Sequence, residues 1–440
     1  MSNEKIMNRW FVVIGAILIQ LCLGAIYAWS VFTPALKATG WSKVETQVVF
    51  AVALAWLAIV MVWAGRRLAD WGPRKLTIAS GVVLGTGYAL AGLLGGTNFW
   101  ALLICIGIIG GTGIGLGYVV PIAVGMRWFP DKKGMITGLA VAGFGFGAMG
   151  WVKLAGSWGH LIATLGLSTT FIIYGIAFAA LVISGSIWMT FPPEGWLPEG
   201  YEPPKQTNNG ETTDEEAFTW REMLATRQFY YIFFTFVFSA GAGLMSIGLM
   251  KLYPMEALQG AGYSLAEASA IAGTAMAVFF SLANGIGRIA WGMMSDLMGR
   301  KAAIIIMTAT QGICVIGFPA MAQNELILYI GATFIGFNFG GNFALFPTMT
   351  ADTFGAKNVG QNYPFVFLSY GVGGIFGPIL GGMLGDMGNF PLAFTICGAL
   401  CLVGAVLTYL VHHPHHTPKI NPLEKLKDTL SIRDKFRTRK

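Results

Sequence analysis

Charge is what this sequence is shortest of. Lys, Arg, Asp and Glu make up 11% of its 440 residues, less than half the share in a typical soluble domain. That scarcity excludes a disordered chain and a coiled coil. Beside a hydrophobic content of 55% it also excludes an ordinary soluble enzyme, because 440 residues could not bury so much apolar surface without a second solvent. Cysteine is scarce as well. The five present, Cys22, Cys105, Cys314, Cys397 and Cys401, all sit inside apolar stretches, which excludes a disulfide framework and a zinc site. Four of the five histidines, His412, His413, His415 and His416, bracket Pro414 beyond the last apolar run and read as solvated interfacial residues. No acid lies deep in an apolar run, and no nucleophile, base and orienting group stand together. Catalysis is therefore left without residues, and neither a metal nor a cofactor is expected.

What the sequence has instead is long apolar runs threaded with glycine. A bilayer core about 30 Å thick needs roughly 20 apolar residues per helix. Such stretches fall near 10–34, 46–68, 74–95, 99–127, 132–160 and 166–190, then near 228–258, 266–296, 301–321, 325–353, 358–386 and 389–411. The first is too long for a signal-peptide core and lacks a small-residue cleavage site, so it stays a helix. Most of the 60 glycines lie within these runs rather than in turns, as suits helices packed closely in lipid. Gly111, Gly113, Gly115 and Gly117 superficially resemble a dinucleotide loop, but no strand–turn–helix unit surrounds them, and they read as a groove for helix contact.

The expected fold is an all-α membrane protein of 12 transmembrane helices in two six-helix pseudo-repeats. Residues 1–190 form the N-terminal half, 191–227 an acidic, proline-bearing linker, 228–411 the C-terminal half and 412–440 a basic tail. The repeat is legible in spacing. Asp70 and Asp296 are 226 residues apart, as are Arg74 and Arg300, Lys75 and Lys301, Gly115 and Gly341, Pro121 and Pro347, Gly134 and Gly360, and Gly145 and Gly371. Parallel six-helix repeats of this kind describe the major facilitator architecture, with a central site between the halves.

Basic residues set the orientation. Lys37 and Lys43 fall in one outer loop, Lys153, Lys251 and Arg288 fall within spans, and the other 23 of the 28 lie on one side once the N-terminus is placed inside. A multi-pass protein of the cell (inner) membrane with both termini cytoplasmic is expected. The net charge of +7 then reflects topology and contact with anionic lipid rather than nucleic acid.

Three sets of residues could carry a function. The duplicated loops, GRRLADWGPRK from Gly65 and GMMSDLMGRK from Gly292, let Asp70 and Asp296 face a helix N-terminus while Arg74 and Arg300 pair with neighbouring carboxylates. Arg288 stands eight residues before Asp296, about 12 Å up its helix. Burying it there costs roughly 2.5–3.5 kcal/mol even on the lenient insertion scale, and its repeat counterpart is Val62. A guanidinium with no resident partner suits an anionic substrate, because its planar fork holds a carboxylate through two parallel bonds. Asn284, one turn earlier on the same face, can donate to that substrate or hold the guanidinium, but cannot titrate. Gly377 and Pro378 lie in GIFGPILGG from Gly374 and read as a bend on which the halves could rock.

With these in place, the stretches NRWF at Asn8, RWFPDKKG at Arg127, NGIGRIAWGMMSDLMGRK at Asn284 and ALFPTMTADTFG at Ala344 resemble the oxalate:formate antiporter and monocarboxylate-transporter branch of the major facilitator superfamily. The resemblance implies alternating access, the duplicated loops acting as a latch, and an aromatic cage beside the arginine. The matching cage positions are Tyr27, Tyr118, Phe144, Phe339, Phe343 and Phe367. For each tyrosine, core packing explains the position as well as substrate contact does. Oxalate antiporters carry a lysine on the eleventh helix, where NYPFVFLSY from Asn362 places Tyr370. One cation instead of two favours a small monocarboxylate of the lactate, pyruvate or acetate type over oxalate, and the Tyr370 hydroxyl could recognise a hydroxy or keto group. Animal monocarboxylate transporters place an aspartate where Asn284 stands. The titratable candidates for proton coupling are therefore Lys251, His160 and the substrate's own acid proton. The expected partners are thus a small carboxylate anion, protons and the lipid bilayer, with the carrier a monomer. An oxalate/formate-type exchanger and a non-transporting carboxylate sensor are the alternatives.

Overall fold

The computed structural model describes residues 7–41, 43–155, 159–201, 207–208, 211–212, 217–250 and 252–414. Twelve long helices account for most of them. They are α1 (Trp10–Leu23, continued by a 3₁₀ stretch Gly24–Val31), α2 (Lys43–Trp71), α3 (Pro73–Leu93), α4 (Phe99–Trp128), α5 (Lys133–Ala155) and α6 (Leu161–Ser186). After the linker follow α7 (Arg227–Leu249), α8 (Leu265–Met298), α9 (Arg300–Met321), α10 (Glu325–Phe354), α11 (Val359–Asp386) and α12 (Phe390–Tyr409). Among the described residues, eleven stretches are long and apolar enough to cross a membrane, and α5 completes the six-plus-six pattern. The linker contributes an antiparallel pair two residues long, Thr207–Asn208 with Glu211–Thr212, and a short helix, Trp220–Leu224.

Local chemistry sets the helix limits. Side chains of Asn98, Thr226, Asn324 and Asn389 accept from backbone N–H groups at the starts of α4, α7, α10 and α12, and Ser264 with Glu267 closes a capping box on α8. The α2–α3 and α8–α9 connections are a residue or two long. Each turns at a glycine in the left-handed region, Gly72 (φ 75°) and Gly299 (φ 87°), where a Cβ would be strained. Large apolar side chains such as Ile59, Leu93, Trp100, Ile176 and Leu326 are exposed around the bundle. In water this would be an aggregation liability, and in lipid it is the matching surface.

Inside the bundle, helices meet through glycine. On α4, Gly111 and Gly115 face the backbone of Ala53 and Leu57 on α2, while Gly113 and Gly117 face Leu84 and Ser80 on α3. The groove read from the sequence is thus two contact faces, one on each side of α4. The halves join along two further glycine seams. Gly134 of α5 lies against Gly292 of α8, and Gly138 lies against the Arg288 carbonyl. Across the other seam, Gly65 of α2 meets the backbone of Gly360 on α11. Gly134 and Gly360 are the repeat-related pair, so their spacing reflects a shared role in the cross-half contact.

A Cβ on Gly292 would overlap the Gly134 carbonyl. Gly292→Val is expected to destabilise the closed arrangement by about 1–3 kcal/mol, read as a lower thermal midpoint in detergent. An unchanged midpoint would show that the seam tolerates a side chain.

Candidate functional site

Arg288 is fully buried, and its hydrogen bonds come from both halves. Its Nε donates to Asn284 Oδ1 one turn earlier (3.2 Å), and Nη1 donates to the Val141 carbonyl of α5 (3.0 Å). Among the described residues Nη2 has no hydrogen-bond partner. The guanidinium lies 4.2 Å from the ring centroid of Phe343 and 6.0 Å from that of Phe144, close enough for the ring faces to stabilise the cation. Gly145 of α5 faces the guanidinium, and a Cβ there would stand 3.8 Å from Nε, at ordinary van der Waals contact. Among the described residues no acidic side chain contacts Arg288.

Aromatic rings from both halves surround this charge. Phe144 stands edge-on to Tyr27 (5.0 Å) and Tyr118 (5.5 Å). Phe367 contacts Tyr118 and Tyr370, each at 5.1 Å. Tyr370 in turn meets Phe343 (5.5 Å), through which Phe339 joins (5.4 Å). Tyr27 and Tyr370 share a hydroxyl–hydroxyl bond of 2.6 Å across the halves. All the aromatic positions singled out in the sequence thus lie in one connected cluster with Arg288 and Asn284. The Tyr118 hydroxyl is buried without a partner.

Other singled-out residues lie elsewhere. Asp296 accepts from the backbone N–H groups of Gly134 (2.9 Å) and Met135 (2.7 Å) at the start of α5, and pairs with Arg300 (2.6 Å). Arg300 also binds Asp352 (2.9 Å), which takes Lys133 of the other half (3.1 Å). The anionic end of this network sits where a helix N-terminus favours it. The N-terminal copy is not engaged in this way. Asp70 is exposed and reaches only Arg67 at 3.5 Å, and Arg74 is exposed. By the 226-residue offset, Lys133 and Asp352 correspond to Val359 and Met126, so the N-terminal loop lacks both partners. Gly377 faces the backbone of Gly241 on α7, and α11 runs through Gly377–Pro378 as one helix. His160 is an exposed, left-handed residue at the head of α6 and joins none of these groups. Lys251 lies outside the described residues.

Sequence reasoning passed over three features. Lys133 and Asp352 were inside the quoted motifs, but nothing in one dimension paired them. The acidic, proline-bearing linker is docked over its last stretch. Phe218 N–H donates to the Phe354 carbonyl, Asn358 and Asn362 donate to the Phe218 carbonyl, and Trp220 stacks on Phe365 with Arg66 at 4.3 Å. The third is Tyr363, fully buried beside Phe367 (5.7 Å). Its spacing to Phe367 and Tyr370 at i+4 and i+7 was the available signal.

The Major Facilitator Superfamily model matches residues 10–280 and 252–440. This chain belongs to that superfamily. It is similar to an uncharacterized MFS-type transporter of Escherichia coli, YhjX, at 30% identity over 84% of this chain and 86% of the relative. It is also similar to the oxalate:formate antiporter of Oxalobacter formigenes, at 25% identity over 96% and 97%. The crystal structure of the E. coli fucose:proton symporter FucP shares the fold, with a TM-score of 0.66 at 13% identity over 92% of this chain and 98% of that one. The protein is accordingly a multi-pass membrane transporter.

The uneven latches make a direct comparison possible. Asp296→Asn should lower stability by about 1–3 kcal/mol through loss of charge-assisted bonds, whereas Asp70→Asn should stay within about 0.5 kcal/mol. Equal effects in thermal unfolding would show that the two loops carry the same load.

Proposed function

We propose that this transporter moves small monocarboxylates of the lactate, pyruvate or acetate type by alternating access, with Arg288 binding the carboxylate. The observation that carries this reading is a fully buried guanidinium whose Nη2 no protein group answers, enclosed by aromatic rings from both halves. A carboxylate there would gain charge-assisted bonds in a low-dielectric site. The other guanidinium nitrogens are held by Asn284 and Val141, so the fork is oriented before the substrate arrives. Because Val141 belongs to one half and Arg288 to the other, opening either side must remake that bond. The position of the substrate then couples to the positions of the halves.

The similarity to the oxalate:formate antiporter of Oxalobacter formigenes makes oxalate/formate exchange the second reading. Among the described residues no second lysine, arginine or histidine contacts the cage, and Tyr370, on α11, is bonded to Tyr27. A dianion would be half-neutralised there, which favours a single carboxylate. A membrane sensor that binds without moving solute is the reading from another class. Asn284 offers no titratable group, so in proton symport the proton would travel on the substrate's own acid. The 23 basic residues on one side support cytoplasmic termini in a cell (inner) membrane, and a cage built within one chain supports a monomer.

Counterflow of labelled lactate in proteoliposomes separates a carrier from a sensor. Arg288→Lys keeps the charge but loses the fork, and at least a tenfold loss of uptake is expected; transport near wild type would remove Arg288 from the role. Tyr370→Lys supplies a second cation and should shift preference toward oxalate. An unchanged panel from formate to oxalate would show that Tyr370 does not set the charge of the substrate. An inward proton gradient should accelerate lactate entry if the acid proton is carried along.

A further inference from the structure

The cage has two tiers of hydroxyl groups on α11. Tyr370 lies in the tier whose hydroxyl is already bonded, to Tyr27. Tyr363 lies seven residues earlier on the same face, about 10 Å nearer the start of α11, and its hydroxyl is buried with no protein partner. Tyr118 of α4 is in the same condition, buried and unbonded. Both rings rest on Phe367, at 5.7 Å and 5.1 Å, so the two halves each supply one open hydroxyl to a common wall. Leaving a buried hydroxyl unbonded costs about 1–3 kcal/mol, and buried polar groups are otherwise almost always bonded. Two such groups in the cage that encloses Arg288, whose Nη2 is also unanswered, form a set of donors and acceptors that no described residue satisfies.

We propose that Tyr363, with Tyr118, forms a polar subsite beside Arg288 that reads a hydroxyl or carbonyl on the carbon next to the substrate's carboxylate, making Tyr363 a specificity-determining residue. The inference rests on the carboxylate reading of Arg288 and adds to it. Arg288 recognises the charge that every monocarboxylate carries. The tyrosine pair distinguishes 2-hydroxy and 2-keto acids from plain alkanoates, because an alkanoate would leave both hydroxyls unbonded in the loaded site. A site built to bond a substrate hydroxyl discriminates strongly against the analogue that lacks it. Tyr370 is assigned a different part: its bond to Tyr27 ties the two halves together.

Lactate and propionate differ by one hydroxyl and test this directly. In proteoliposomes the wild-type protein should take up lactate with a KM about tenfold below that for propionate. Tyr363→Phe keeps the ring against Phe367 and should raise the lactate KM about tenfold while leaving that for propionate unchanged, so the preference disappears. A loss that falls equally on both acids would mean that Tyr363 only packs, and would overturn the proposal. A wild-type protein that moves both acids equally well would overturn it without any variant, with Arg288 left in place. A wild-type protein that moves neither acid, nor any other monocarboxylate, would overturn the carboxylate reading and this inference together.

Discussion

A positive charge buried between two halves of an apolar bundle, with no negative charge beside it, is the constraint around which the rest of this structure is arranged. A guanidinium in a low-dielectric interior demands hydrogen bonds and polarisable neighbours. Arg288 finds them in one side chain of its own helix, one main-chain carbonyl of the opposing half, and the faces of Phe343 and Phe144. The opposing carbonyl is within reach only because α5 and α8 touch along glycines. A Cβ on Gly138 would overlap the Arg288 carbonyl. Close packing at the seam and solvation of the charge are therefore one requirement, and a side chain on Gly138 would strain both.

The fold is duplicated, but the chemistry is not. Gly134 and Gly360 occupy equivalent seams, and Asp70 and Asp296 occupy equivalent turns. Yet only the C-terminal turn holds the opposing half, because Asp352 and Lys133 complete its network while Met126 and Val359 stand at the matching places. The buried arginine is likewise single, with Val62 as its counterpart. Each half keeps the glycines that let it pack against the other, whereas the charged residues are divided between them. Such division suits a carrier: charge and hydrogen bonds that cross the interface can be made on one side of the membrane and broken on the other, while the helices within each half stay packed.

The linker adds a third connection. Its last stretch is held on the ends of α10 and α11 by the Phe218 backbone and by Trp220, against which Arg66 of the other half is laid. A charged, proline-bearing composition concealed this, because the few residues that dock are apolar and the contacts they make are mostly to backbone.

Periodicity and composition were enough to place the twelve helices, eleven of them to within about five residues and the seventh with its end nine residues too far, since lipid demands long apolar runs and lets no backbone group go unpaired. They also singled out Arg288, because an uncompensated charge in such a run is visible from the sequence alone, and family resemblance supplied the cage positions. What one dimension could not contain was who answers whom. That Nη1 is taken by the Val141 carbonyl, that Tyr27 binds Tyr370, that Asp352 joins Lys133 to Arg300, and that the hydroxyls of Tyr118 and Tyr363 stay open are all contacts between residues far apart in the chain. A main-chain carbonyl has no signature in a sequence, and an unsatisfied hydroxyl is defined only by its surroundings. The sequence alone determined how many helices there are and where a charge is buried; the packing of the two halves decided which atoms that charge leaves free.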